Sequence, residues 1–396
     1  MTRKYELLFK YLWILVIVPK PVQFVLLSVY LLYLLKDNWK EIKLDKISIL
    51  ILAYTGVHAI SIVFAVFRGF TPERLFAAIN TCLIWVVAVG LYAEYSQASY
   101  EAKDIPKYCF FNATFMIVLS LLARVMHAFG MDAFGIPYIG ILFKIDEPYP
   151  YSRLNAFLDY PTLVVPFMLI MIPGAMEYLK HKMEAKKKER VTGIVQVSYY
   201  GMCGLPIYFS YSRAGYVLYL AGILLLLGYL FGKKLSKKQV IMGIAAAGLI
   251  VVVLACATPL LENIVAKLMS MRGGSNSTRM IIYTETIQAF FRHPVIGCGI
   301  KEMCKGAWLY PLGSHSTYLG FLYKTGIVGT SIVMLAFLKC AINLGKTIIF
   351  KENEKAIYAS SVLMILAFAC FEDLDGADWL VCLLFIIFGV INKDNN

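Results

Sequence analysis

Three side chains able to bind an anion or move a proton stand out between Ser275 and Gly329: Arg279, Arg292 and His315. The stretch reads SNSTRMIIYTETIQAFFRHPVIGCGIKEMCKGAWLYPLGSHSTYLGFLYKTGIVG and is the longest in the chain that is not plain apolar span. A guanidinium is a planar fork that grips phosphate or carboxylate at two points. An imidazole exchanges a proton near neutral pH. Arg213, in YSRAGY, adds a cation where two apolar runs abut. A charge at that depth is costly unless it is paired or in a wet cavity; the plainer alternative is snorkelling to headgroups. Ser277 or Thr278 can cap a helix that carries Arg279 in its first turn, where free backbone N–H groups and the guanidinium together suit an anion. Otherwise Arg279 is a surface charge. A lone loop histidine is often structural, and His315 has no second histidine at metal-ligand spacing, so no metal is expected. Glu372, Asp373, Asp375 and Asp378 form an acidic turn. They can pair with the arginines, bind sugar hydroxyls or hold a cation, or they simply mark a loop low in positive charge.

The rest of the chain looks like a helical frame for this loop. Of 396 residues, 60% are apolar and only 16% charged, against about a quarter charged in soluble domains; the mean hydropathy is +0.69. Apolar runs long enough to span a bilayer recur throughout, which predicts an all-α polytopic membrane protein. The N-terminal run reads as a retained first span. Two short runs, 5–18 and 21–36, meet at Pro19-Lys20-Pro21 as a helical hairpin. Further spans are expected at 47–67, 73–92, 107–129, 160–179, 193–210, 214–231, 240–257, 317–340, 356–371 and 379–391. That is about twelve in all, with both ends in the cytosol by the positive-inside rule. Lysine-rich loops 36–46, 93–106, 180–192, 232–239 and 341–355 then lie inside. Loops 68–72, 130–159, 211–213, 258–316 and 372–378 lie outside, the longest of them between spans nine and ten. The whole of 1–396 reads as one integral membrane domain. The net charge of +13 is a topology signal and not a sign of nucleic-acid binding. Arginine concentrates on or near the outer face, at Arg68, Arg74, Arg153, Arg213, Arg272, Arg279 and Arg292. Such a set suggests an anionic ligand there, with lipid headgroups as the plainer partner. The nine cysteines lie mostly in apolar runs; Cys298 and Cys304, both in the long loop, are able to pair.

Taken together, these pieces resemble the bacterial O-antigen ligase and O-antigen polymerase superfamily over roughly 150–330. Ser212-Arg213-Ala214-Gly215 is similar to the family's Ser-Arg-Gly-type turn, and Ser275 through Arg279 to its Ser-x-x-x-Arg segment. His293-Pro294-Val295-Ile296-Gly297-Cys298-Gly299 resembles its His-Pro-Leu-x-Gly-x-Gly element. His315-Ser316-Thr317-Tyr318-Leu319 with Gly326-Ile327-Val328-Gly329 resembles His-Asn-x-Tyr-Leu and Gly-x-x-Gly. Arg153 through Pro161 is a looser match. Ser316 stands where asparagine is usual, and Lys324 where glutamate is common; Glu372 or Asp373 is a candidate replacement for that carboxylate.

The resemblance implies glycosyl transfer on the outer face of the bacterial cytoplasmic membrane, from an undecaprenyl-diphosphate-linked glycan to an acceptor hydroxyl. It implies Arg213 and Arg279 on the leaving diphosphate, His315 as general base, and inversion at the anomeric carbon, with no metal or cofactor. Arg153 and Arg292 are further candidates for the diphosphate, and Glu372 and Asp373 for substrate. A chain-length regulator and a flippase are candidate partners. The departures favour a repeat-unit polymerase, polymerases being the more diverse group. A ligase acting on lipid A core is the alternative. A transporter would predict repeats and broken helices at mid-membrane, and a membrane acyltransferase a site reached from the cytosol.

Overall fold

The computed structural model describes residues 2–36, 42–97, 104–131, 133–136, 140–146, 153–156, 158, 160–186, 189–231, 273–307, 310–350 and 355–392. The expected ninth span, 240–257, and the start of the long loop, 258–272, lie outside the described residues. Among those described, five helices are long and apolar enough to cross a membrane: Lys46–Val66, Pro72–Gln97, Ile105–Ala128, Pro161–Ala185 and Thr317–Ile348. Lys20–Leu35, Arg213–Leu224, Lys355–Phe368 and Asp378–Asn392 are shorter apolar helices. The chain is thus a multi-span membrane protein.

The helices, in order, are α1 (Leu7–Lys10), α2 (Leu12–Ile17), α3 (Lys20–Leu35), α4 (Lys46–Val66), α5 (Pro72–Gln97) and α6 (Ile105–Ala128). They continue with α7 (Val164–Ala185), α8 (Glu189–Phe209), α9 (Arg213–Phe231), α10 (Gly273–Arg292), α11 (Thr317–Phe350), α12 (Lys355–Phe368) and α13 (Asp378–Asn392). The first two runs do fold back on each other, since the Lys4 ammonium donates to the Leu34 carbonyl at 3.2 Å. Pro19 caps the second arm with φ near −57°. Asp45 starts α4 by accepting the Ser48 N–H at 2.8 Å and the Tyr92 hydroxyl at 2.7 Å. The helices at the centre are apolar all round: the span ending at Ala185 is 89% buried, against half or less for the other long ones, and α13 is buried along nearly its whole length. Around them α5 packs on α13, α6 on α7 and α4 on α11.

The loops expected outside meet at one end of the bundle. The Arg68 guanidinium donates to the Cys298 carbonyl at 3.2 Å, the Tyr160 hydroxyl to the Asp373 carbonyl at 3.4 Å, and Arg279 to the Phe371 carbonyl at 3.0 Å. Loops expected inside meet elsewhere, where the Lys43 N–H reaches Gln97 and the Asp104 N–H reaches Glu6.

Two features correct the sequence reading. The 130–159 loop holds a three-stranded antiparallel sheet, β1 (Ala133–Ile136), β2 (Gly140–Asp146) and β3 (Arg153–Ala156), so the all-α class is incomplete. Its strands run four to seven residues, and they obtain their backbone partners from each other, not from local patterning. Second, α11 is not an uninterrupted span: it breaks at Gly326, whose φ is 60° and ψ −162°.

The broken helix is stitched by the His293–Gly299 loop. The N–H groups of Cys298 and Gly299 donate to the Tyr323 and Lys324 carbonyls at 2.7 and 3.0 Å, and those of Ile327 and Val328 donate to Pro294 and Val295 at 2.8 and 3.1 Å. The backbone groups freed by the break are thereby paired, as an apolar surrounding demands. Backbones this close leave no room for side chains. A Cβ on Gly326 would lie 2.4 Å from the Val295 oxygen, and one on Gly297 would lie 2.5 Å from the Gly326 nitrogen. Gly326 also occupies a backbone region essentially closed to other residues. Gly326→Ala is therefore expected to cost about 3 kcal/mol or more from strain plus overlap, read as a lowered thermal midpoint of the detergent-solubilised protein. An unchanged midpoint would show that the break does not need glycine.

Candidate functional site

Above the break, the carboxylate of Glu372 lies between two of the residues singled out by type. Arg279, on α10, donates through Nη2 to Glu372 Oε1 at 2.6 Å and through Nη1 to the Phe371 carbonyl at 3.0 Å. The other oxygen of Glu372, Oε2, lies 3.7 Å from His315 Nδ1, an ion-pair distance. His315 therefore turns its other ring nitrogen, Nε2, away from the carboxylate. Glu372 is nearly buried and Arg279 and His315 are about one-fifth exposed, at 8%, 19% and 20% respectively. Burial opposes ionisation of Glu372, but the His315 ring and the Arg279 guanidinium outweigh it and hold the carboxyl below its usual range. The Nε of Arg279 is buried and has no hydrogen-bond partner among the described residues; such an orphan donor invites a ligand or water.

The backbone at His315 is itself unusual. Its φ is 60°, in the left-handed region, a conformation that costs about 1–3 kcal/mol in a non-glycine residue unless neighbours enforce it. Here they do. The Tyr283 hydroxyl donates to the His315 carbonyl at 2.7 Å, and the next residue but one is pinned twice. The Thr317 N–H reaches the Ala369 carbonyl at 2.9 Å and the Thr317 hydroxyl the Glu372 carbonyl at 2.8 Å. Tyr310 lies against the imidazole, ring centroids 4.9 Å apart.

Arg213 opens α9 after a tight turn in which Tyr211 has φ 50°. Ser212 Oγ accepts the Gly215 N–H at 3.2 Å, a helix cap that fixes where Arg213 emerges. Arg213 lies within electrostatic reach of Arg279. Arg124, at the far end of α6, flanks the same turn, 4.7 Å from the Phe209 ring centroid and 5.9 Å from that of Tyr211. The structure thus gathers Arg213, Arg279, His315 and Glu372 at one end of the bundle.

Other expectations fare differently. Arg292 ends α10 and is exposed; thirteen residues beyond Arg279 it lies about 20 Å along the axis, so it is not part of this cluster. Arg153 begins β3, paired with Asp146; its side chain lies outside what the structure describes. Asp373 faces not the arginines but Lys301, with which it is ion-paired. The helix bearing Arg279 starts at Gly273, not at Ser277, because the residues upstream continue the backbone ladder through the potential cap. Arg279 is consequently more than a turn inside the helix, and the helix-terminus anion site is not formed there. Cys298 and Cys304 are separate buried thiols. Tyr283 was not singled out, although it follows Arg279 by four residues and so shares its helix face.

Residues 201–334, about a third of the chain, match the family described as O-antigen ligase. That match, over a third of the chain, supports an assignment to the O-antigen ligase/polymerase superfamily. The family's description points to glycosyl transfer in O-antigen processing, and the apolar helices to a multi-pass membrane protein. Arg213, Arg279, Arg292 and His315 lie inside the segment matching the superfamily; Arg153, Glu372 and Asp373 lie outside it. A search of curated proteins found no match.

Proposed function

We propose that the chain joins polyprenyl-diphosphate-linked oligosaccharide repeat units on the outer face of the cytoplasmic membrane. One unit is donor, and a hydroxyl of a second is acceptor. The observation that carries this reading is the Glu372 carboxylate seated between Arg279 and His315. With Nδ1 turned to Glu372, His315 Nε2 is free to take the proton of the attacking hydroxyl. The acceptor oxygen then bonds to the donor's anomeric carbon as that carbon's bond to the phosphate oxygen breaks. Negative charge builds on the departing diphosphate, where the Arg279 and Arg213 guanidiniums stabilise it. Attack from the face opposite the leaving group inverts the anomeric centre. Glu372 stabilises the imidazolium that forms and keeps the guanidinium oriented; in this reading it supplies the carboxylate for which Lys324 leaves no place. About twelve spans, with the 258–316 loop extracytoplasmic, complete the proposed topology.

The break in α11 does not favour a transporter. The half-helix ends at transporter sites face a cavity with free backbone groups, whereas here the loop's own amides and carbonyls occupy them.

The test is transfer by the purified protein in lipid vesicles, using lipid-linked repeat units extracted from a strain lacking it. A ladder of products supports a polymerase, whereas a single addition to lipid A core supports the ligase alternative. No elongation of either acceptor sinks both. The mechanism assigns charge stabilisation to guanidiniums, so excess EDTA is expected to leave the rate unchanged within about twofold, since no Lewis acid is asked to polarise the leaving group. Strong inhibition restored by a divalent ion would contradict that.

A further inference from the structure

A second set of charges lies below the Glu372 site. Lys324 and Asp375 form an ion pair in which both side chains are almost wholly buried, 2% and 1% exposed. Lys301 lies 3.9 Å from the same Asp375 and is paired with Asp373. These four side chains come from three segments. Lys324 stands two residues before the break in α11. Lys301 follows the loop stitched into that break. Asp373 and Asp375 belong to the turn that begins with Glu372. Burial opposes ionisation of Asp375, but Lys324 and Lys301 override it and hold its carboxyl well below the carboxylate range. Burial and the neighbouring Asp375 charge push the Asp373 carboxyl up from its usual range.

We propose that the Lys324–Asp375 pair is a positioning device for transfer: it locks the 372–375 turn to the broken helix and so sets where the Glu372 carboxylate stands between Arg279 and His315. The turn is short, with only Asp373 and Leu374 between Glu372 and Asp375. Thr317 anchors its backbone, the hydroxyl accepting the Leu374 N–H at 2.9 Å and donating to the Glu372 carbonyl, and Lys301 holds the Asp373 side chain. The buried ion pair adds a side-chain anchor three residues from the carboxylate. Lys324 and Asp375 are positioning residues and do not touch the reacting atoms. The inference rests on the roles given to His315 and Arg279 above.

The experiment is a mutant cycle on the full-length protein in vesicles, with extracted lipid-linked repeat units as substrate. Lys324→Met leaves Asp375 buried with Lys301 alone, and Lys324→Met with Asp375→Asn removes both charges together. The double variant is the one expected to fold, because loss of one partner strands a buried charge while loss of both does not. Its kcat is expected to fall at least about tenfold with donor KM within about twofold. In a Glu372→Gln background, where no carboxylate remains to be placed, the same double change is expected to cost less than about twofold more. A general structural role would cost as much in either background. A folded double variant with wild-type kcat overturns the proposal. So does equal loss in both backgrounds, or failure of both the single and the double variant to reach the membrane, which would assign the pair to stability alone. If instead His315 and Arg279 variants retain full transfer, the functional reading fails, whatever the cycle shows.

Discussion

Replacing His315 is expected to abolish polymer formation while the protein still accumulates in the membrane. Loss of a general base is expected to cost about 10²–10⁴ in rate, enough to remove visible product in cells. Two substitutions separate chemistry from backbone. His315→Ala removes the imidazole and also puts a side chain poorly suited to left-handed backbone where φ is 60°. His315→Asn removes the base but tolerates that conformation. Both are expected to fail equally in transfer, and only the alanine variant is expected to be measurably less stable. The measurements are chain length on a gel, membrane level by immunoblot and thermal midpoint. Normal chain length in either variant rules out a catalytic role for His315.

The second large effect is expected from lysine in place of the two guanidiniums. Arg279→Lys keeps a positive charge but cannot hold the Phe371 carbonyl and the Glu372 carboxylate at once as the native fork does. Arg213→Lys keeps charge at the turn but loses two-point contact with a phosphate. If both arginines act on charge that develops during bond cleavage, each change lowers kcat by about 10²–10³, with a smaller effect on donor KM. Transfer by either lysine variant at the native rate would mean that net charge, not geometry, is what the site requires. A rise in KM alone would assign the arginine to binding and not to the reacting bond.

Much of the frame was legible in the sequence because bilayer-length apolar runs leave few alternatives. Helices α4, α5, α6, α9 and α13 begin and end within a few residues of the runs that announce them. The placing of Arg213, Arg279 and His315 at one end was also readable, since charge asymmetry between loops sorts them before any packing is known. Other parts depend on contacts distant in sequence. The three strands within 133–156 run only four to seven residues and show no clear apolar–polar alternation. Ser277 and Thr278 look like a helix start, yet the polypeptide ladder runs on from Gly273. The break in α11 is signalled only by Gly326, and a lone glycine in an apolar run is compatible with an unbroken helix. The partners of Glu372 and Lys324 lie 93 and 51 residues away in sequence, beyond the reach of any local pattern.

The seam between the His293–Gly299 loop and the two halves of α11 has a mechanical consequence. Four amides and four carbonyls cross it, so the loop cannot swing like a hinged flap while the helix stays put. Bending of one and travel of the other become a single degree of freedom. A displacement of α11 beyond Gly326 would be carried through that seam into the loop that leads to Lys301.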